Sequence, residues 1–415
     1  MRYAWFLLAA GLLAAGPALA QRGCPDPQAT NYTPGATGND GSCQYPPTGA
    51  ALPPKAPLGP ELPESSALQL LGGQLWSLND GGNDPVLFRL DSAGGQTRQR
   101  VRLSNAPNID WEDLAADANY LYVGDFGNNL GTRRDLRILR VPRTALGPGA
   151  DSARAQVIAF TYPDQTDFTP HNNQHNFDCE AMFVAHDSVH LFTKNWQDFQ
   201  TRYYTVPATP GTHVAHLKAR FNVNGLVTAA DVSPAGTAAA LLGYDTRSGA
   251  AFVWLLWDVR GTAYFGGNKR RIELPSVLQV GQVEGLAFAG RARLLVSSER
   301  LATPLETVPA RLYGLPVGHW LSGLPLAAQA PASQEVGIAA TPNPARQQLQ
   351  LRRTGGVGTA QVSILNLLGQ EVLTDTLPAG AQQRTVDLAG LEPGGYLLRI
   401  KLGGRTHTQK LVVPD

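Results

Sequence analysis

The sequence predicts an all-β chain: a β-propeller of five or six blades followed by a small immunoglobulin-like β-sandwich. Three observations predict it. Gly (44) and Pro (31) are abundant in the 415 residues, while long amphipathic periods are scarce. Short apolar runs between turn residues dominate instead, which is the pattern of a mostly antiparallel strand protein. A degenerate unit of roughly 45 to 65 residues recurs through the middle of the chain, long enough for the four short strands of a propeller blade.

The chain opens on a secretory leader at 1–20: Arg2, an almost wholly apolar run from Ala4 to Ala15, then Ala18-Leu19-Ala20 as a small-x-small cleavage site. That run is too short to span a bilayer, which needs about 20 apolar residues, and no later run reaches that length, so no transmembrane segment is expected. A hydrophobic content of 43% is globular, and a net charge of +1 argues against a nucleic-acid partner.

Of three cysteines, Cys24 and Cys43 bracket a Gly/Pro/Asn-rich module (21–46) that cannot bury a core of its own. In an oxidising compartment they are the natural pair, closing a loop worth about 3 kcal/mol. Cys179 is left over and reads as a buried small apolar side chain, or alternatively as a reactive or ligating thiol. The stretch GCPDPQATNYTPGATGNDGSCQYPP resembles a short Gly-Cys-x-Asp…Asp-Gly-Ser-Cys module of secreted bacterial proteins. Its Asp26, Asn31 and Asp40 offer oxygens to calcium, with plain turn-forming roles as the alternative. Residues 47–63 are Pro-rich and read as an extended, semi-rigid linker.

The main domain, 64–325, carries the repeat. Trp111-Glu112-Asp113-Leu114-Ala115, Cys179-Glu180-Ala181-Met182-Phe183 and Val283-Glu284-Gly285-Leu286-Ala287 each precede a second apolar strand and a third ending near Pro. Ser66-Ala67-Leu68 and Ala230-Asp231-Val232 open two degenerate copies, making five visible units, with room for a sixth. This region is similar to a family of secreted propeller proteins sharing ELPE, DWEDLA, YLYVGDFGNN, FTKNW and GNKRRIEL; the resemblance implies the fold and no particular activity.

After a linker at 326–335, residues 336–415 alternate polar and apolar in QLQLRR, VSILNL and YLLRIKL, enough for a small sandwich. The tail resembles the type A C-terminal sorting domain of the type IX secretion system. The motif residues are Pro342, Asn343 and Pro344 at its start, Gly369 and Gln370 at its middle turn, and Gly395 and Tyr396 in its closing pattern. The resemblance implies export through the periplasm to the surface or medium, with the secretion machinery and its sortase as partners.

The glutamates that open the repeats carry the chemistry. Propeller blades set their first strand against the central channel, so Glu112, Glu180 and Glu284 are expected to converge there. Converging carboxylates repel unless a cation or Arg partners neutralise them, and calcium or magnesium suits such ligands. Asp110, Asp113, Asp178 and Asp231 stand beside these positions as further ligands. The competing reading makes each Glu a tie from blade to blade. His171 and His175 lie in a Pro/Asn-rich loop, which argues against a zinc pair and leaves His171 as a contact over the channel mouth. Trp76, Trp111, Trp196, Trp254 and Trp257 are expected mostly in the core between blades, with a sugar-binding surface as the alternative. No Gly-x-Ser-x-Gly elbow or paired-Cys ribbon is present. The expectation is a propeller binding a ligand or partner at the channel mouth; the alternative is a calcium-dependent phosphoesterase or lactonase built on the channel carboxylates.

Overall fold

The computed structural model describes residues 21–91, 93–303, 307–321, 338–353, 357–366, 370–403 and 405–414. They fall into two compact units divided between Leu324 and Pro325. The expected leader (1–20) and linker (326–335) lie outside the described residues.

Five antiparallel sheets make up the first unit, each a four-stranded blade. Their inner strands are Gln69–Leu71, Trp111–Ala116, Asp178–Ala185, Leu226–Val232 and Val283–Phe288. These strands are almost wholly buried because each pairs along one edge with the second strand of its own blade and packs against neighbouring inner strands. Five apolar clusters join blades one to two, two to three, three to four, four to five and five back to one. The last cluster, with Leu68, Leu75 and Phe88 against Ala287, Leu295 and Leu312, closes the ring at five blades.

Closure corrects the expected linker at 47–63. Pro54–Pro57 is the outermost strand of blade five, antiparallel to Arg311–Pro316 and paired Leu312 to Ala56. A proline-rich strand is tolerated there because only one edge has to bond. The N-terminal part of the chain therefore completes the last blade, and unpaired edges inside the ring are avoided. Two loops latch adjacent blades in the same way: Ser152–Ala153 pairs parallel to the outer strand of blade one, and Gly211–Val214 to that of blade two.

The module at 21–46 is closed by the Cys24–Cys43 disulfide, with Cα atoms 4.8 Å apart. Cys179 is free and buried. The module is seated on blade four: Asn39 donates to Asp258 and Asn268, Lys269 Nζ donates to Gly41 O, and Tyr45 packs against Trp257. Its candidate calcium oxygens are engaged in local structure. Asp26 accepts from Gln28 N and Tyr45 Oη, Asn31 from Gln44 N, and Asp40 from Ser42 N.

In the second unit a three-stranded sheet (Ile338–Thr341, Gln348–Arg353, Gln383–Asp387) and a four-stranded sheet (Glu371–Leu377, Ala360–Leu365, Gly394–Leu402, Arg405–Val413) share one core. Leu349, Leu351, Val386, Val362, Ile364, Leu398 and Ile400 fill it, the alternate residues of their strands. The opening motif is bonded to the closing strand: Asn343 Oδ1 accepts from Val412 N and Ala345 N donates to Val412 O. Gly395 pairs with Val412, and Tyr396 Oη donates to Glu392 O. Gln370 is bonded to Asn366 across the middle turn, while Gly369 lies outside the described residues.

Candidate metal centre

One irregularity recurs in the inner strands. Opposite the second strand, the register skips a residue at Glu112, Glu180, Thr228 and Glu284 in blades two to five. Ser66 holds the corresponding place in blade one, just after the Ser65–Asn79 bridge. A bulge breaks strand alternation and re-aims one side chain, and bulges are enriched beside functional sites. Glu112, Glu180 and Glu284 are each only 3% exposed.

A second ring of residues faces the bulges. It lies one step beyond each bulge's neighbour on the second strand: Asp80, Phe126, Lys194, Tyr244 and Glu299 in blade order. Phe126 turns into the core between blades two and three, and Asp110, which precedes the bulge, supplies a second acid there. Ligand oxygens of Asp80, Asp110 and Glu112 lie within 4.8 Å of one another, and so do those of Asp80, Glu284 and Glu299. Asp80, Asp110 and Glu299 are half-buried, opening the group to solvent above the three buried glutamates. Two glycines give the acids room. A Cβ at Gly81 would stand 2.2 Å from Asp110 Oδ1, and one at Gly127 would stand 2.0 Å from Glu112 Oε1.

The electrostatics are one-sided. Asp178 joins the same field; its Oδ1 accepts from Asn128 N at 2.6 Å and its Oδ2 from Trp196 Nε1 at 2.9 Å. Against these seven acids stands one ammonium, Lys194, with Nζ 3.1 Å from Glu180 Oε1. Burial works against its charge, but Glu180 and the surrounding acids outweigh burial and hold Lys194 well above the ordinary lysine range. Burial, then the charge of Glu284, raises Asp80 to about 7. Burial and Asp178 raise Asp110 to about 6. Glu112 is driven well above the carboxylate range by burial, Asp80 and Glu180, and Glu299 is pushed up to about 11 by burial and Glu284. Nearby Asp125 stands apart, neutralised by Arg133 at 3.0 Å and Arg137 at 2.8 Å.

Blade-to-blade ties exist, carried by other residues. Ser66 Oγ donates to the carbonyls of Trp111 and Glu112, and Thr228 Oγ1 donates to Val283 O. Asp113 Oδ2 accepts from Met182 N in blade three and Ala230 N in blade four, while its Oδ1 accepts from Leu114 N. Asp231 accepts from Phe288 N in blade five and from Val232 N. Asp113 and Asp231 were expected as ligands and are ties instead. Asp231 lies three residues beyond the bulge, toward the far end of its strand, where it lines a separate pocket with Ala116, Val184 and Phe288. The repeat copy opening at Ala230 was therefore set out of register, and Thr228 is the true counterpart of the glutamates.

Of the other candidates, His171 is exposed on its loop and pairs with Asp167 at 3.7 Å. His175 Nε2 bonds Asn129 O at 3.1 Å, so the two histidines serve the loop. Trp76, Trp111 and Trp257 are buried between blades, Trp254 is half-buried, and Trp196 stands at the edge of the acids with Lys194 Nζ 5.1 Å from its ring. Asp80, Lys194 and Glu299 were missed from the sequence, although each stands at or just past the end of its second strand at a matching place (SLND, FTKN, SSER).

Residues 340–414 match the family described as "Secretion system C-terminal sorting domain". The tail is a type IX sorting domain. It directs the chain to the cell surface or the outside and implies contact with the secretion machinery. Among the described residues no helix is long and apolar enough to cross a membrane. No curated protein matches the chain. Solved structures similar to it include an exo-beta-1,3-galactanase from Phanerochaete chrysosporium bound to galactose (10% identity, TM-score 0.40, covering 85% of this chain and 95% of that one). A GH43_1 enzyme from Xanthomonas citri is another (11% identity, TM-score 0.36, covering 63% and 90%). The five-bladed ring itself rests on the strand pairing described above.

Proposed function

We propose that the propeller is a non-catalytic binding domain that the sorting tail delivers, through the secretion machinery and its sortase, to the surface or medium. A leader at 1–20 would take the chain to the periplasm first. The ligand or partner is taken at the acidic mouth of the ring, and calcium is the cation that the central carboxylates hold. The observation that carries this reading is the convergence of seven acids on one lysine. Groups so crowded and desolvated either keep protons or take up a cation, and hard oxygen ligands in flexible geometry select calcium. No feature of the site favours a hydrolase over a binding centre.

Two measurements test it. Thermal melting of the full chain in calcium and in chelator should show a rise with calcium, since a ligand bound only by the native state stabilises it as RT ln(1 + [L]/Kd). Identical melts in both buffers, at millimolar calcium, would sink the cation centre. Deleting residues 336–415 should leave the propeller in the periplasmic fraction; full recovery in the medium would sever the delivery step from the tail.

A further inference from the structure

The acids form two compartments, and the geometry points to two divalent cations sharing Asp80: one held by Asp80, Asp110 and Glu112, the other by Asp80, Glu284 and Glu299. This inference rests on the reading that the cluster binds cations, and it fixes their number and ligands. Oxygens that share a calcium ion lie about 2.3–2.6 Å from it, so no two of them stand more than about 5 Å apart. Each of the two triples meets that limit, with all its ligand atoms inside 4.8 Å, and Asp80 belongs to both. Its two carboxylate oxygens give it the capacity to bridge.

The acids left without partners point to the same two places. Glu112, 3% exposed and directed into the first triple, has a carboxylate that accepts no hydrogen bond from any described residue. In the second triple Glu299 Oε1 is buried and accepts none, while the rest of its carboxyl group bonds the neighbouring acid Glu284. A buried acceptor left unmade is costly, and a buried charge more so. Each compartment thus contains a carboxylate whose natural partner is an ion. Glu180 is excluded from both sets because Lys194 occupies it at 3.1 Å. This replaces the expected trio of Glu112, Glu180 and Glu284 with a different division of labour.

Charge supports two ions over one. With all seven acids ionised, Lys194 leaves six negative charges in the cluster. One divalent cation leaves four, and two leave two, which the half-exposed acids can hold in contact with water.

The test is calcium stoichiometry of the full chain by equilibrium dialysis, with native mass spectrometry as a second count and circular dichroism to verify folding of each variant. Relative to wild type, Asp80→Asn should lose two calcium ions. Glu112→Gln and Glu299→Gln should lose one each, and Glu180→Gln none. Asp110→Asn and Glu284→Gln repeat the single losses should either glutamine variant fold poorly. If wild type binds one calcium ion and all of Asp80→Asn, Glu112→Gln and Glu299→Gln lose that same ion, the pair of sites is overturned while the cation centre stands. If wild type binds none, both readings fall.

Discussion

Glu112 and Asp113 are sequence neighbours, both buried carboxylates, and they belong to two different regions of the ring. Asp113 sits in the wall, where three backbone amides from its own blade and the next two converge on it. Glu112 sits at the bulge, faces other acids across the mouth, and its carboxylate accepts nothing from any described residue. Burial raises both pKa values well above the carboxylate range; in the wall the amides of Met182, Leu114 and Ala230 offset part of that rise for Asp113, whereas at the mouth Asp80 and Glu180 push Glu112 further up. A carboxylate in the wall is consumed by architecture; one at the mouth remains available. The difference is one residue of register, created by a bulge that directs successive side chains to regions of opposite polarity.

The largest effect should come from the wall. Asp113→Ala leaves three buried amides without an acceptor and should cost about 3–5 kcal/mol of unfolding free energy, equally in calcium and in chelator. Chemical denaturation in both buffers reads it, and a calcium-dependent loss would move Asp113 to the mouth.

A second wall group adds an acid-sensitive contribution of its own. His190 is fully buried between Phe183, Tyr203 and Tyr264, with Nε2 donating to Ala185 O at 3.0 Å and Nδ1 2.7 Å from Tyr203 Oη. Burial first, with Lys218 and His186 nearby, lowers it to about 4 despite the Ala185 carbonyl. A histidine depressed in the folded state takes its proton only in the unfolded chain between about pH 6.5 and 4. His190 by itself therefore lowers stability through that window on acidification, by up to about 3 kcal/mol, while Asp80, Asp110 and Asp231, raised in the folded state, gain protons there and work in the opposite direction. His190→Gln should remove the histidine's share and so shift the stability slope toward a gain on acidification in a pH series of melts, and an unchanged slope would deny His190 that role.

The mouth should answer with the opposite sign and the smallest size. Glu112→Gln replaces an acid that its surroundings force to keep a proton with a neutral amide of the same shape, so it should raise stability in chelator by about 1 kcal/mol and reduce the gain on adding calcium. If it instead destabilised in both buffers as Asp113→Ala does, the distinction between wall and mouth would collapse.

Much of this protein was legible before folding. The tail's alternation in VSILNL and YLLRIKL fixed which side chains enter the sandwich core, because strand periodicity is local. Two Glu-x-Leu openings and one Glu-x-Met marked three inner strands and three buried acids for the same reason. The loop of Cys24 and Cys43 needed only its bracketing residues and an oxidising compartment. The linker at 47–63 could not be read correctly, since the partner that makes Pro54–Pro57 a strand lies some 250 residues away in blade five. Composition describes a segment's own preferences and carries nothing about a distant edge seeking its last strand.

The sequence by itself determined the repeats, the sandwich and the acids available to the channel; the tertiary structure decided what each acid does. Asp80 and Glu299 follow their second strands as unremarkable turn residues; Glu299 meets Glu284 across one hairpin of blade five, and only closure of the ring brings Asp80 of blade one within reach of both. Asp231 reads as a channel acid until register places it against Phe288 N. Lys194, alone among seven acids, selects Glu180 because the bulge presents that carboxylate to it across one sheet. A carboxylate's role depends on the charges and amides within a few ångströms of it, and that distance is set by which strands meet, not by which residues are neighbours in the chain.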